Sequence, residues 1–236
     1  MPPVADAPMK LRISVSAAII AVACLLFYWE QRGKKPKRDY HIPNDNAIVV
    51  AAAKGDLAEV KRIVATSPDS IFAKNEKGAT AAEWAVLNDK PDVAKFLVER
   101  GYPTDPTPEI PFGLLFACVS RNSAESTDML KWLLDRGANP NVEHERESWI
   151  PLHLAVNNGM KDKVRILVAK GADIRMRNKQ GETAYHIATD QLRRYADPEF
   201  DFPHGELRDP EARASLIKRT KEMVELLQQL GAKESP

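Results

Sequence analysis

Apolar residues recur along this chain at helical spacing, in short stretches that each end in glycine. One stretch places Val93 and Leu97 on one side of a helix, and Gly101 follows as a residue able to adopt positive φ. Equivalent stretches end at Gly137 and Gly171. Because a lone pair of short helices cannot bury its apolar side, this pattern predicts helix pairs that stack on one another into a continuous core.

A small residue marks the same point in each repeat of the pattern. These residues are Ala51, Ala85, Ala117, Ala155 and Ala188. Successive members are 34, 32, 38 and 33 residues apart, close to the period of units built from a turn and two helices. Five copies in register predict a repeat architecture, in contrast to a closed helical bundle.

The clearest copy of the unit reads Ile150-Pro151-Leu152-His153-Leu154-Ala155. On this motif and its weaker copies, the chain resembles the ankyrin-repeat family from about Asn44 to Ala232. The signature is imperfect, since Ile150 stands where the family has threonine. The resemblance implies an all-α ankyrin-repeat solenoid of about five helix-turn-helix units within 44–236. The expected repeats lie near 46–75, 76–108, 109–142, 146–178 and 179–232.

Two of the five units are longer than the pattern requires. The third carries extra residues around Asn122–Ser126. The fifth carries about 27 inserted residues between its helices, and its prolines predict a loop at about 196–212. This loop is either part of a binding face or a tolerated surface insertion. A final helix from about Pro210 to Leu230 is expected to close the stack.

A segment unrelated to the repeats precedes them. The stretch from Ile13 to Trp29 has 17 residues without a charge, which as a helix just spans a hydrocarbon core. We expect a tail at 1–12, a single transmembrane helix or signal anchor at 13–29, and a basic juxtamembrane linker at 30–43. The alternative is a cleaved export signal with a loose lipoprotein processing site at Cys24. Apolar residues continue beyond Cys24, which favours the uncleaved anchor.

Basic residues flank this segment on both sides. Lys10 and Arg12 precede it, and those that follow are Arg32, Lys34, Lys35, Lys37 and Arg38. The excess after the span places the repeats in the cytoplasm by the positive-inside rule. A basic amino-terminal tail also resists translocation, which would leave the repeats in the periplasm or outside the cell. The linker sets this orientation or contacts anionic headgroups.

Composition argues against several classes of function. The formal net charge is +1, so no global basic field indicates nucleic-acid binding. The sequence has no phosphate-binding glycine loop, no nucleophile elbow, and no Cys or His pair at metal-ligand spacing. We therefore expect a non-catalytic protein with no cofactor, no metal and no small-molecule substrate. His153 and His186 recur at one repeat position, where the family resemblance implies structural hydrogen bonds between neighbouring units.

The resemblance also implies where a protein partner binds. Ankyrin stacks use their turn tips and the exposed side of each first helix, which together form a concave face. The matching residues here are Glu76, Lys77, Leu87, Asn88, Glu147, Trp149, Asn157, Asn158, Lys179, Gln180, Glu182, Asp190 and Gln191. Trp149 either anchors a partner or folds back on the apolar turn at 110–112. Trp84 and Trp132 fall on apolar stripes and are expected in the core.

These patterns lead to one functional hypothesis and two alternatives. The first is a single-pass, membrane-tethered adaptor or scaffold that contacts the bilayer through 13–29 and holds another protein through the concave face. The second is an exported periplasmic or surface-attached protein that shields or inhibits an envelope factor. The third is an enzyme regulator with a small-molecule pocket under the loop at 196–212.

Overall fold

Ten α-helices account for most of the described residues. The computed structural model describes residues 46–76, 78–108, 110, 112–144, 148–197 and 209–232. All of them belong to one unit of the chain, Tyr40–Pro236. The predicted tail, membrane span and linker at 1–43, and the candidate residues Lys77 and Glu147, lie outside the described residues.

The helices come in five consecutive pairs. They are α1 Ala47–Lys54 and α2 Leu57–Thr66, α3 Ala81–Leu87 and α4 Pro91–Glu99, α5 Leu114–Val119 and α6 Ala124–Asp135, α7 Pro151–Asn157 and α8 Lys161–Ala169, α9 Ala184–Ala196 and α10 Pro210–Gln229. A short 3-10 helix, Pro68–Phe72, follows α2. Outside these helices the described residues form two isolated β-bridges, Lys74 with Thr80 and Thr107 with Ile110, and no strand. The prediction of an all-α fold is confirmed for this part of the chain.

The first helix of each unit packs against the first helix of the next. Contacts run from α1 to α3, then to α5, α7 and α9, and the second helices α2, α4, α6 and α8 form a parallel row. The repeated residues Ala85, Ala117, Ala155 and Ala188 are fully buried. A methyl side chain at this position allows neighbouring backbones to approach closely. The small residue that marks each unit in the sequence is therefore an interface residue of the stack.

Local sequence sets where the helices begin. Thr80 and Glu83 form a capping box at α3, in which the Thr80 N–H donates to Glu83 Oε2 at 2.9 Å. Gly113 precedes α5 with a φ of 72°, and a Cβ there would lie 2.7 Å from Pro106 Cγ. Only glycine satisfies both the positive φ and the close approach. The third unit thus begins at a residue that tolerates no side chain.

Most of the loop predicted at 196–212 lies outside the described residues, and the final helix predicted from about Pro210 is observed as α10. The two helices of the fifth unit have 13 and 20 residues, against 7 and 9 in the fourth unit, so part of the insertion lengthens helices. Asp209 caps α10, and Pro210 occupies the first helical turn, where its missing N–H costs no hydrogen bond. The Arg213 guanidinium donates to Tyr195 O at 2.9 Å and to Asp197 O. Arg213 therefore closes the end of α9, where a basic group is favourable.

The two tryptophans expected in the core have different positions. Trp84 is buried. Trp132 is only half-buried on the outer side of α6, where Arg136 Cζ lies 4.2 Å and Lys95 Nζ 5.9 Å from its ring centroid. Both cations are within the range of a cation–π interaction. The helical stripe predicted the side of the helix that carries Trp132 but not the cations that cover it.

In the part of the chain that the structure describes, the helices are too short or too polar to span a bilayer. No helix among these residues combines the length and apolarity needed to cross a membrane. The predicted span at 13–29 falls outside that part and stays a prediction.

Truncating a core leucine should measure the strength of the stack. Leu133 in α6 is completely buried, so Leu133→Ala should lower the free energy of unfolding by about 2–5 kcal/mol through lost burial and a cavity. Lys131→Ala is the control in the same helix, because the Lys131 side chain is 52% exposed and its change should be within about 0.5 kcal/mol. Chemical denaturation followed by circular dichroism measures both. Equal losses for the two variants would contradict this account of the core.

Candidate functional site

Two turn tips present exposed side chains on well-supported backbone. Glu76 in the second unit and Lys179 and Gln180 in the fifth are exposed. Each tip is built on a buried asparagine one residue earlier: Asn75 Oδ1 accepts from the Ala79 N–H at 3.0 Å, and Asn178 Oδ1 accepts from the Gln180 N–H at 3.0 Å. We call Glu76, Lys179 and Gln180 the tip surface.

Glu182 helps to hold the turn that carries Lys179 and Gln180. Its N–H donates to Asn178 Oδ1 at 2.8 Å, and its Oε2 accepts from Asn178 Nδ2 at 2.9 Å. The side chain is half-buried in this arrangement. Sequence reasoning missed the two asparagines, although Asn75 and Asn178 hold the same position of their units. Their recurrence is the signal that could have identified them.

Several first-helix candidates use their polar groups inside the stack. Asn158 Nδ2 donates to Val119 O of the third unit at 3.0 Å. Gln191 Nε2 donates to Asn157 O at 3.0 Å and to Asn157 Oδ1 at 2.9 Å, which joins the fifth unit to the fourth. Asn88 Nδ2 donates to Trp84 O at 2.9 Å and closes its own helix. These amides bond to helix-end carbonyls, and a partner would have to compete for them.

The remaining first-helix candidates are also engaged with neighbours. Leu87 is half-buried and packs against the core. Asp190 accepts from Arg193 at 2.6 Å and pairs with Arg194 on the same helix. Both arginines are exposed, so these pairs contribute little to stability. The structure bonds Gln191 of the fifth unit to Asn157 of the fourth, while Glu76 lies in the second unit, two and three units away.

Trp149 takes an intermediate position between the two alternatives. It is half-buried against the core, and its ring meets His153 of its own unit edge to face, with centroids 6.1 Å apart. Phe112, which the second alternative offered as its contact, packs against Phe116 and His144 with centroid distances of 6.0 and 6.3 Å. The packing of Trp149 is therefore mainly within its own turn, with part of the ring left at the surface.

His153 binds the segment that leads from the fourth unit into the fifth. Its Nδ1 accepts from the Ile150 N–H at 3.3 Å, and its Nε2 donates to Met176 O at 3.0 Å. The side chain is buried, and burial lowers the pKa of the imidazole from its ordinary value of 6.5. His186 bonds instead within its turn, with Nδ1 2.7 Å from Thr183 Oγ1.

The described residues contain no cluster of three or more His, Cys, Asp or Glu side chains suited to a metal ion. Cys118 is completely buried, and burial raises the pKa of its thiol to about 12. The thiolate is the nucleophilic form, so this thiol is unreactive at neutral pH.

A buried lysine escaped the sequence analysis. Lys163 lies inside the stack, and its Nζ donates to Cys118 O at 2.6 Å and to Ser126 Oγ at 2.7 Å. Counted back from the closing glycine of each unit, this position holds Val93 in the second unit and Met129 in the third. A lysine at a position that is apolar in the second and third units was the available signal.

Comparisons with known proteins agree with this architecture. Residues 114–196 match the family described as ankyrin repeats in three copies. The chain is 27% identical to protein PhlB of Serratia liquefaciens over 191 residues, which cover 78% of this chain and 79% of that protein. It is 30% identical to an ankyrin repeat protein of Rickettsia felis over 138 residues, 56% of this chain and 42% of that one.

A third similarity is shorter. The 2-5A-dependent ribonuclease of Homo sapiens is 41% identical over 64 residues, which cover 27% of this chain but only 9% of that enzyme. The chain thus spans most of PhlB and a small part of the ribonuclease. Taken together, the matches and the helix pairs establish that the chain contains ankyrin repeats, a type of unit that generally binds other proteins.

Acid should weaken the link made by His153. The folded imidazole takes up a proton at lower pH than the unfolded one, so the free energy of unfolding should fall as the pH drops below about 6.5. His153→Leu removes this dependence and, at neutral pH, costs about 1–3 kcal/mol by leaving the Ile150 N–H and Met176 O without their partner. Denaturant unfolding between pH 5 and 8 measures the difference, which should shrink towards the acid end.

The matched control is His186→Leu at the same repeat position. It removes a half-buried contact within a single turn, so its stability loss at neutral pH should be the smaller of the two. A gap between wild type and His153→Leu that stays constant over the pH range would contradict the assigned role of His153.

Proposed function

We propose that this chain of ankyrin repeats is a non-catalytic adaptor that binds a protein partner through its tip surface and the adjoining concave face. The observation that supports this most directly is the contrast between Glu76, Lys179 and Gln180, which are exposed, and the buried asparagines that hold their turns. Exposed side chains on pre-organised backbone bind with little loss of conformational freedom. Opposite charges on Glu76 and Lys179 would set the orientation of the partner.

The first helices have a supporting role in this proposal. Asn157, Asn158 and Gln191 donate or accept within the stack, so they shape the floor of the concave face. Trp149 and Leu87 each leave part of an apolar side chain at the surface. These two residues would add apolar contact area next to the polar tips, the mixture that is common in protein interfaces.

We further propose that the adaptor is tethered to a membrane with its repeats in the cytoplasm. The support is the uncharged stretch at 13–29 and the excess of basic residues in 30–43. Tethering confines the repeats to a thin layer and so raises their effective concentration towards other membrane-bound proteins. The alternative, an exported periplasmic or surface-attached protein that shields or inhibits an envelope factor, rests on the basic tail before the same stretch.

Site-specific photocrosslinking tests the binding surface. A photoreactive amino acid at Gln180 should give one discrete adduct in cells, whereas the same group at Lys131, exposed on the outer side of α6, should give none. Adding Lys179→Glu should abolish the Gln180 adduct without lowering the amount of folded chain, because the charge of the tip is reversed. Adducts of equal yield at both positions, or insensitivity to Lys179→Glu, would count against the proposed surface.

Fractionation and reporter fusions test the tether separately. The full chain should remain in the membrane fraction after a high-salt wash, and deletion of 1–29 should release it. Replacing the five basic residues at 32–38 by alanine is the control, since a peripheral protein held by charge alone would be released by that change. A carboxyl-terminal reporter active only in the cytoplasm should work. Activity of an export-only reporter would instead favour the alternative.

A further inference from the structure

Three irregularities of the repeat pattern meet at one place in the stack. The first is Asp89, between α3 and α4, which has a φ of 57°. The equivalent residues of the first and fourth units are Gly55 and Gly159, with φ of 79° and 69°. A side chain is unfavourable in this left-handed region, although aspartate tolerates it better than most residues. Asp89 therefore occupies a glycine position at some cost in strain.

The second irregularity is the lengthened turn of the third unit. Arg121 donates to Asp89 Oδ2 at 2.7 Å, and Ser123 Oγ donates to Asp89 Oδ1 at 2.5 Å. Ser123 also caps α6 together with Ser126, whose N–H donates to Ser123 Oγ at 3.2 Å. The inserted residues of the third unit are thus held by the strained aspartate of the second.

The third irregularity is Lys163 of the fourth unit, at the apolar core position already described. Its side chain is 2% exposed and donates to three groups of the third unit: Cys118 O, Ser126 Oγ and Arg121 O. Cys118 is in the last turn of α5, and Arg121 follows two residues after its end. Cys118 O also accepts from the Arg121 N–H at 3.3 Å, and Arg121 O also accepts from Ser126 Oγ at 3.2 Å, so the Lys163 amine joins hydrogen bonds that the turn makes within itself.

Side chains from both neighbouring units therefore end on one turn of the third. Asp89 reaches it from one side and Lys163 from the other, and Ser126 Oγ lies 2.8 Å from Ser123 Oγ, which joins the two halves. The groups around the amine are the Cys118 thiol, the Asp89 carboxylate and the Arg121 guanidinium. Burial lowers the pKa of Lys163 to about 8, so most of the amine is charged at neutral pH and donates all three of its protons.

We propose that Asp89, the turn from Arg121 to Ser126, and Lys163 form a latch that joins the second, third and fourth units and keeps the third helix pair from opening separately. In a repeat stack each unit touches only its neighbours, so an internal unit with a lengthened turn is a natural point of local opening. The latch removes that weakness because opening the turn would strand buried donors and acceptors on both sides. Glu76 in the second unit then keeps a fixed position relative to Lys179 and Gln180 in the fifth, so the tip surface is held in one arrangement.

A double-mutant cycle tests whether the two halves act together. Asp89→Gly restores the residue of the first and fourth units, and Lys163→Met restores the residue of the third. Lys163→Met alone should raise the unfolding equilibrium constant at least tenfold, because three buried hydrogen bonds to the turn are lost. In the Asp89→Gly background the turn is free to relax towards water. The factor by which Lys163→Met raises the unfolding equilibrium constant should therefore be at least threefold smaller there than in the wild-type background. If the two factors differ by less than threefold, Asp89 and Lys163 act independently and the latch is refuted.

Thiol labelling of Cys118 tests the opening itself. In a Cys24→Ser background Cys118 is the remaining cysteine, and its buried thiol should react only as fast as global unfolding allows. In the Lys163→Met variant the labelling rate of Cys118 should be at least tenfold higher than the rate set by global unfolding of that variant. The matched control is Val93→Ala, at the same repeat position of the second unit, which should accelerate labelling only in proportion to its loss of global stability.

Asp89→Gly provides a milder version of the same measurement. It keeps a residue that other units carry at this position, so the chain folds even where Lys163→Met does not, and it should also show labelling in excess of its global stability. Labelling in proportion to global unfolding in both latch variants would overturn the proposal.

Discussion

The stack depends on burying the first helix of each unit against the first helix of the next. Ala85, Ala117, Ala155 and Ala188 are completely buried at these contacts. A larger side chain there would separate the helices and uncover the leucines behind them. Since each unit touches only its neighbours, one uncovered contact would divide the molecule into two shorter stacks. The packing of these first helices therefore sets the positions of the polar side chains at the surface.

Hydrogen bonds from polar side chains fix the register between neighbouring units, which apolar burial alone does not specify. His153 binds Met176 O, Asn158 binds Val119 O, and Gln191 binds Asn157, so each junction from the third unit onward has a bond between units. These side chains end on backbone carbonyls, many of them at helix ends. Such bonds contribute modestly to stability, but a slipped register would leave them unmade, and that cost is larger.

The sequence predicted the repeated helix pairs and missed several hydrogen bonds made by individual side chains. Helix pairs follow from periodicity, because positions with the same environment select the same kind of residue, and the structural role of His153 follows from the family resemblance. Periodicity does not distinguish an amide that faces solvent from one that reaches a neighbouring carbonyl, which is why Asn158 and Gln191 were expected to face a partner. The final helix was predicted from about Pro210, and α10 does begin there, since a proline in the first helical turn costs no hydrogen bond.

The two lengthened units show how position in a stack decides what an insertion requires. In the fifth unit the longer helices α9 and α10 pack against each other, and Arg213 of α10 binds Tyr195 O at the end of α9. The third unit is internal, and its extra residues lie between two neighbours. There both neighbours bind the lengthened turn: Asp89 stands where the first and fourth units have glycine, and Lys163 stands where the second and third units have an apolar residue. An internal insertion is thus a property of three units, and transferring it to another repeat would require all three changes together.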